Sequence, residues 1–104
     1  MRILVRFALL ASACLVPPAA HAGEPELPAV AKSCATCHGR DGIGTSPGFP
    51  NLAGQKSIYL MEQLTLYRDG KRQSEVMSIA AAKLTDNEIR AIAAYYEAMP
   101  ACKP

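Results

Sequence analysis

Cys34-Ala35-Thr36-Cys37-His38 is the stretch on which the reading of this chain turns. Two thiols three residues apart lie on one side of a single helical turn, and an imidazole follows the second at once. This is the attachment signature of a c-type haem: each thiol adds across a vinyl group, and the imidazole binds the iron from one face. A bare C-x-x-C has two other uses, as a thioredoxin-like redox pair or as half of a zinc site. The redox pair wants a βαβ pattern around it, and no strand pattern lies nearby. The zinc site wants a second pair of ligands, and the only other histidine, His21, falls in a segment expected to be removed. Cys34 and Cys37 are therefore expected to hold haem c covalently, one per chain, with His38 on the iron.

That removable segment is the N-terminus. Arg2 and Arg6 give a positive start, Phe7 to Val16 is an apolar run, and Pro17-Pro18 breaks it. Ala20-His21-Ala22 is a small-x-small cleavage site before Gly23. Residues 1–22 thus read as a secretory signal peptide, and 23–104 as one domain; the apolar run is too short to cross a membrane. A lipoprotein anchor at Cys14 is disfavoured, because Ala11 stands where an aliphatic residue is usual. The expected compartment is the periplasm, with no membrane span in the mature chain.

Cleavage changes the charge argument. The 104 residues carry 11 basic and 9 acidic side chains, and two of the basic ones but none of the acidic ones precede Gly23. The remaining domain is formally neutral, so no basic stripe supports nucleic-acid binding or strong electrostatic steering. A domain of this size is also marginal as a protein-only core. A buried haem would supply apolar surface for the helices to pack on.

The spacing predicts an all-α chain. A first helix runs from about Pro28 into the cysteine pair, with Val30 and Ala31 as its small apolar face, and Gly39 suits its end. Residues 41–54 hold four glycines and two prolines and read as an irregular loop, with Phe49, Pro50 and Leu52 turned toward the haem. Ser57 is placed as the cap of a helix over 58–68 whose Tyr59, Leu60, Gln63, Leu64 and Tyr67 recur as a buried stripe. Asp69-Gly70 stops it. Residues 71–75 are a polar connector, and Val76-Met77-Ser78-Ile79 continues it into an alanine run. Thr85-x-x-Glu88 has the spacing of a capping box and opens a last helix over 86–98, with Ile89, Ile92, Ala93 and Tyr96 inward. Pro100 terminates it.

The second face of the iron wants a soft ligand, since thioether sulfur raises the potential and closes the site. Met61 lies within a helix and Met99 at the end of another. Met77 lies in a connector that can bring its side chain over the open face, and position alone favours it over the other two.

The chain resembles a class I cytochrome c, and in particular one haem domain of the dihaem "c-four" group and its small monohaem relatives. The resemblance rests on Cys34-Ala35-Thr36-Cys37-His38-Gly39, Phe49-Pro50-Asn51-Leu52-Ala53-Gly54-Gln55, and Tyr59-Leu60 with Gln63-Leu64. It continues through Gly70-Lys71-Arg72, Val76-Met77 and Leu84-Thr85-Asp86 to Ile92-Ala93-Ala94-Tyr95-Tyr96. It implies helices wrapped around one covalent haem, with Met77, seven residues before Leu84, as the second iron ligand. It further implies that the Pro50 carbonyl accepts a hydrogen bond from His38, that Leu52 packs on the ring, and that Tyr59 and Arg72 lie near the haem propionates. Two departures stand out. Leu27 and Pro28 stand near where a small residue usually permits a close helix crossing, so the first helix is expected to be short or differently packed. The duplicated second haem domain has no counterpart in these residues.

The function so implied is one-electron transfer between redox proteins, a dehydrogenase or a terminal oxidase, with no substrate bond made or broken and hence no enzyme activity. The alternative is a haem c subunit resident in a periplasmic dehydrogenase complex. A gas sensor or enzyme would need an easily displaced second ligand. With Cys14 removed and Cys34 and Cys37 used, Cys102 is left odd, which points to a disulfide with another Cys102 or with a partner subunit.

Overall fold

The computed structural model describes residues 23–102, so the expected signal peptide over 1–22 lies outside the described residues. Four α-helices follow one another with no strand between them among the described residues. After Pro28, Ala29–Ala31 forms a single 3-10 turn that runs into α1, Lys32–His38. The others are α2, Ser57–Arg68, α3, Met77–Ala81, and α4, Asp86–Glu97.

α4 is the best specified of these from local sequence. The Thr85 hydroxyl accepts from the Glu88 N–H at 3.2 Å, and the Glu88 carboxylate accepts from the Thr85 N–H at 2.8 Å. Two otherwise orphaned donors are thereby satisfied. Asp86 and Glu88 also place negative charge where the helix dipole is positive. Ile89, Ile92, Ala93 and Tyr96 are all buried, as their spacing predicts, and Tyr95 joins them.

α2 lies against α4, α3 packs on α2, and the 3-10 turn packs on α4. The core between them is built from Leu60 and Leu64 of α2, Ala81 of α3, the inner face of α4, and Met99 just beyond it. Ala31 is wholly buried in this cluster, three residues before Cys34. It supplies the small residue at the crossing that Leu27 and Pro28 do not. The first helix is indeed short, at seven residues after the 3-10 turn.

Four expectations need correction. Ser57 is the first residue of α2 rather than its cap: Lys56 occupies the cap position, and no side chain caps it. In the α2 stripe Leu60 and Leu64 are buried, but Tyr59 is 45% exposed, because none of the described residues covers the first turn on that side. The supposed connector at Met77 is one turn of helix. Ser74 Oγ accepts from the Met77 N–H at 3.2 Å, while the Ser74 N–H donates to Ser78 Oγ at 3.0 Å, and these bonds start the turn. Phe49 is half-buried and does not line the cavity described next; it lines a surface groove with Pro47 and Asn51.

Candidate cofactor site

α1 ends at His38 because the next residue is a glycine with φ +81°, a conformation that side chains resist. The turn is locked from behind by α4: Tyr96 Oη donates to Gly39 O at 3.3 Å, and Tyr95 Oη donates to Arg40 O. Burial holds both phenols above their ordinary pKa, so each remains a hydrogen-bond donor at neutral pH. The last carbonyls of α1 would be orphans. Thr45 satisfies them, its N–H donating to Cys37 O at 2.9 Å and its hydroxyl to Cys37 O at 3.1 Å and Thr36 O at 3.3 Å.

The irregular segment 39–56 is thus folded back on the helix that precedes it. Asn51 Oδ1 accepts from the Gly44 N–H at 2.7 Å, the Leu52 N–H bonds to Gly42 O at 2.7 Å, and the Gly54 N–H bonds to Tyr96 O at 3.0 Å. These bonds bring the Pro50 carbonyl to the ring of His38, where it accepts from Nδ1 at 2.8 Å. A carbonyl can only accept, so Nδ1 carries a proton, and Nε2 is the ring nitrogen left to face the cavity. The expected His38–Pro50 bond is therefore present, and it fixes both tautomer and ring plane.

His38 opens onto a cavity of about 260 Å³. Pro50, Leu52, Tyr59 and Met77 line it as well, together with Asn51, Gln55, Leu60, Gln63, Leu64, Tyr67 and Arg72. Five of the seven expected site residues are thus gathered from four separate segments onto one wall. Cys34 and Cys37 are not on that wall. They sit half-buried on α1, four residues and one residue before His38, and both thiols are free. Met61 and Met99 do not line the cavity; Met61 packs against the core and Met99 is buried within it.

The donor set fits haem c. An imidazole and a thioether share one largely apolar cavity, and two unpaired thiols precede the imidazole on its own helix. The rival uses of the cysteine pair fit less well. Burial pushes the Cys34 thiol upward, against the lowered pKa that a redox-active thiol requires. No group of three or more His, Cys, Asp and Glu side chains gathers among the described residues, so a zinc site lacks its other ligands. The sequence reading assigned no role to Thr45, Ser74 or Asn51, and it read Gln63 only as part of the buried stripe, though Gln63 also lines the cavity. Ser74, three residues before the start of α3, carried a capping signal; Thr45 carried none.

The comparisons with known proteins agree with this chemistry. The family model for cytochrome c matches residues 28–99. The chain is 49% identical over 72 residues to the thiosulfate dehydrogenase electron acceptor of Stutzerimonas stutzeri (strain A1501), a match over 68% of this chain and 33% of that protein. It is 45% identical over 67 residues to cytochrome c-554(548) of Halomonas halodenitrificans, covering 62% of this chain and 81% of that one. A solved structure of Acidithiobacillus ferrooxidans cytochrome c4 superposes with a TM-score of 0.61 at 39% identity, over 64% of this chain and 38% of that chain. The chain spans only about a third of the Stutzerimonas relative.

Proposed function

This chain belongs to the cytochrome c family, holding haem c through Cys34 and Cys37, and from that premise we propose that it is a periplasmic single-haem electron carrier with His38 and Met77 as the two iron ligands. The observation that carries the reading is the pairing of His38 Nδ1–H with Pro50 O on a cavity that Met77 also lines. Haem, when bound, supplies the one-electron change between ferrous and ferric iron. The chain's part is to hold the ligands still and keep water away. Pro50 orients the imidazole and increases its basicity, and Leu52, Leu60 and Leu64 keep the cavity wall apolar. Ser74 pins the backbone N–H of Met77, so the thioether is held in place at the cavity wall. Ligands that do not move between oxidation states keep the reorganisation small, and no substrate need approach the iron; the chain carries electrons and is not an enzyme.

Among the described residues no helix is long and apolar enough to cross a membrane. With residues 1–22 as a removed export signal, the domain over 23–104 is placed in the periplasm, between a donor and an acceptor protein. A dehydrogenase is the favoured donor, because relatives in Stutzerimonas and Thiomonas are named as electron acceptors of thiosulfate dehydrogenase. The same names support residence in a dehydrogenase complex as the second reading. Cys102 is exposed and would then link the chain to a partner subunit or to a second Cys102. A non-reducing gel of the native protein tests that bridge, and a monomer with a thiol titratable in air would remove it.

The test of the main reading is Met77→Ala in the matured holoprotein. Covalent haem should remain, the midpoint potential should fall, and the reduced iron should bind carbon monoxide. Met61→Ala should leave all three as in the parent protein. The reverse pattern would reassign the ligand.

A further inference from the structure

The two walls of the cavity hold their ligands unequally. His38 ends α1, and Pro50, Thr45 and Tyr96 each bring a hydrogen bond from outside that helix, to the ring or to the backbone beside it. Met77 opens α3, whose five residues are too few to sustain a helix unaided. The far end of α3 is fastened, with Ala81 wholly buried in the core. Its outer face gives no hold, since Val76 and Ile79 are 57% and 79% exposed. The residues leading into it, 71–73, are exposed as well. What starts the turn is a pair of half-buried serines. Ser74 Oγ accepts from the Met77 N–H at 3.2 Å, and the Ser74 N–H donates to Ser78 Oγ at 3.0 Å. The Ser78 N–H closes the set by donating to Ser74 O at 3.1 Å.

Two of these three bonds need a serine hydroxyl, and both bear on the residue that carries the thioether or on its neighbour. Thioether sulfur is a soft donor and holds ferric iron less firmly than ferrous. Where that bond is weak, the stability of the turn decides how often the sulfur leaves. Resting on the reading that Met77 is an iron ligand, we propose that Ser74 and Ser78 form a clasp that governs how readily the Met77 side of ferric iron opens to a small external ligand. Both are positioning residues that act through the backbone of α3. With the clasp closed, the thioether stays at the cavity wall. With it open, α3 loses its first turn and the sulfur withdraws. The His38 side, tied to three other places, stays as it is.

The experiment adds imidazole to the ferric holoprotein and reads its uptake rate, the methionine-to-iron absorption band and covalent haem content. Ser74→Ala should keep covalent haem, weaken the band and speed uptake by roughly three- to thirtyfold, the equilibrium change that loss of one helix cap brings. Ser74→Asn supplies an equally good cap and should restore the parent rate. Ser78→Ala should speed uptake by a smaller factor. Its direction is diagnostic, because alanine is the better helix former and would slow opening if propensity alone held α3. Ile92→Ala, which weakens the core away from the cavity, should leave uptake unchanged although it costs the fold more. Equal speeding in Ile92→Ala, or no rescue by Ser74→Asn, would overturn the clasp. If Met77→Ala opens the iron while Ser74→Ala leaves rate and band as in the parent protein, the clasp is refuted and the ligand stands. If Met77→Ala keeps the band, the ligand reading fails and takes the clasp with it.

Discussion

α4 takes its shape from its own backbone and a capping box within four residues, whereas the segment 39–56 takes its shape from bonds to other parts of the chain. In α4 the hydrogen bonds are local, and the apolar side chains face one way because of the helical period. In segment 39–56 the partners of Thr45, Asn51, Gly54 and Pro50 lie on α1, within the loop itself, on α4 and on His38. The first region is a frame and the second is a working part fastened to it. The cavity lies where they meet, so its ligands depend on both.

The comparison is broken most directly by damaging the frame. Ile92 is 2% exposed at the centre of the α4 face, and Ile92→Ala should cost about 2–5 kcal/mol of folding stability through lost burial and the cavity left behind. Denaturant unfolding of the holoprotein measures this. The potential of the fraction that remains folded should change little, because Ile92 does not line the cavity.

A smaller and more local effect is expected at Gly39. A Cβ there would lie 2.1 Å from Ile43 O, and φ is +81°. Gly39→Ala should therefore cost about 2–4 kcal/mol and shift the loop, loosening the His38–Pro50 bond. Gly70 sharpens the point: its φ is +73°, yet nothing lies near its absent Cβ. Gly70→Ala should cost only the backbone strain, about 1–2 kcal/mol. A paired measurement of unfolding and potential separates the two, since only Gly39→Ala should move both. Equal effects at both glycines would mean that the loop is held less firmly than these bonds imply.

The smallest effect concerns the surface clasp between the frame's two long helices. Arg68 Nη1 donates to Asp86 at 2.7 Å and to Leu84 O at 3.1 Å. The hydrogen bond and charge of Arg68 hold the Asp86 carboxyl below its ordinary pKa. A depressed carboxyl stabilises the fold above its unfolded-state pKa, about 3.9, and that contribution is lost as pH falls through the lower folded value. Asp86→Asn should thus be slightly less stable than the parent protein at neutral pH, with the gap closing below about pH 4. Thermal unfolding at a series of pH values checks it, and a gap that is constant down to strong acid would assign the loss to geometry rather than charge.

What could be read early was local. The C-x-x-C-H run, the capping box at Thr85 and Glu88, the glycine after His38 and the face of α4 each depend on residues within one or two turns. Their physics is complete in a short window of sequence. Tyr59, Phe49 and the turn at Met77 were misread for the opposite reason. A helical period identifies a stripe but not what covers each end of it, so Tyr59 stands at 45% exposure. Five residues of helix are too few to show a period, so α3 read as connector. Phe49 and Pro50 are adjacent and both ring-bearing, yet only Pro50 reaches the cavity.

By itself, then, the sequence determined that the chain is helical, where α1 and α4 end or begin, and which three residues mark the haem attachment. These follow from spacing and backbone propensity, which act between neighbours. The tertiary structure decided how Pro50 and Met77, which the resemblance had already set beside His38, come to share a cavity with it and with Arg72, and that Ala31 is buried where the 3-10 turn packs on α4. Those outcomes hang on hydrogen bonds and packing between segments far apart in the chain. Their energies exist only once the core has brought the segments together.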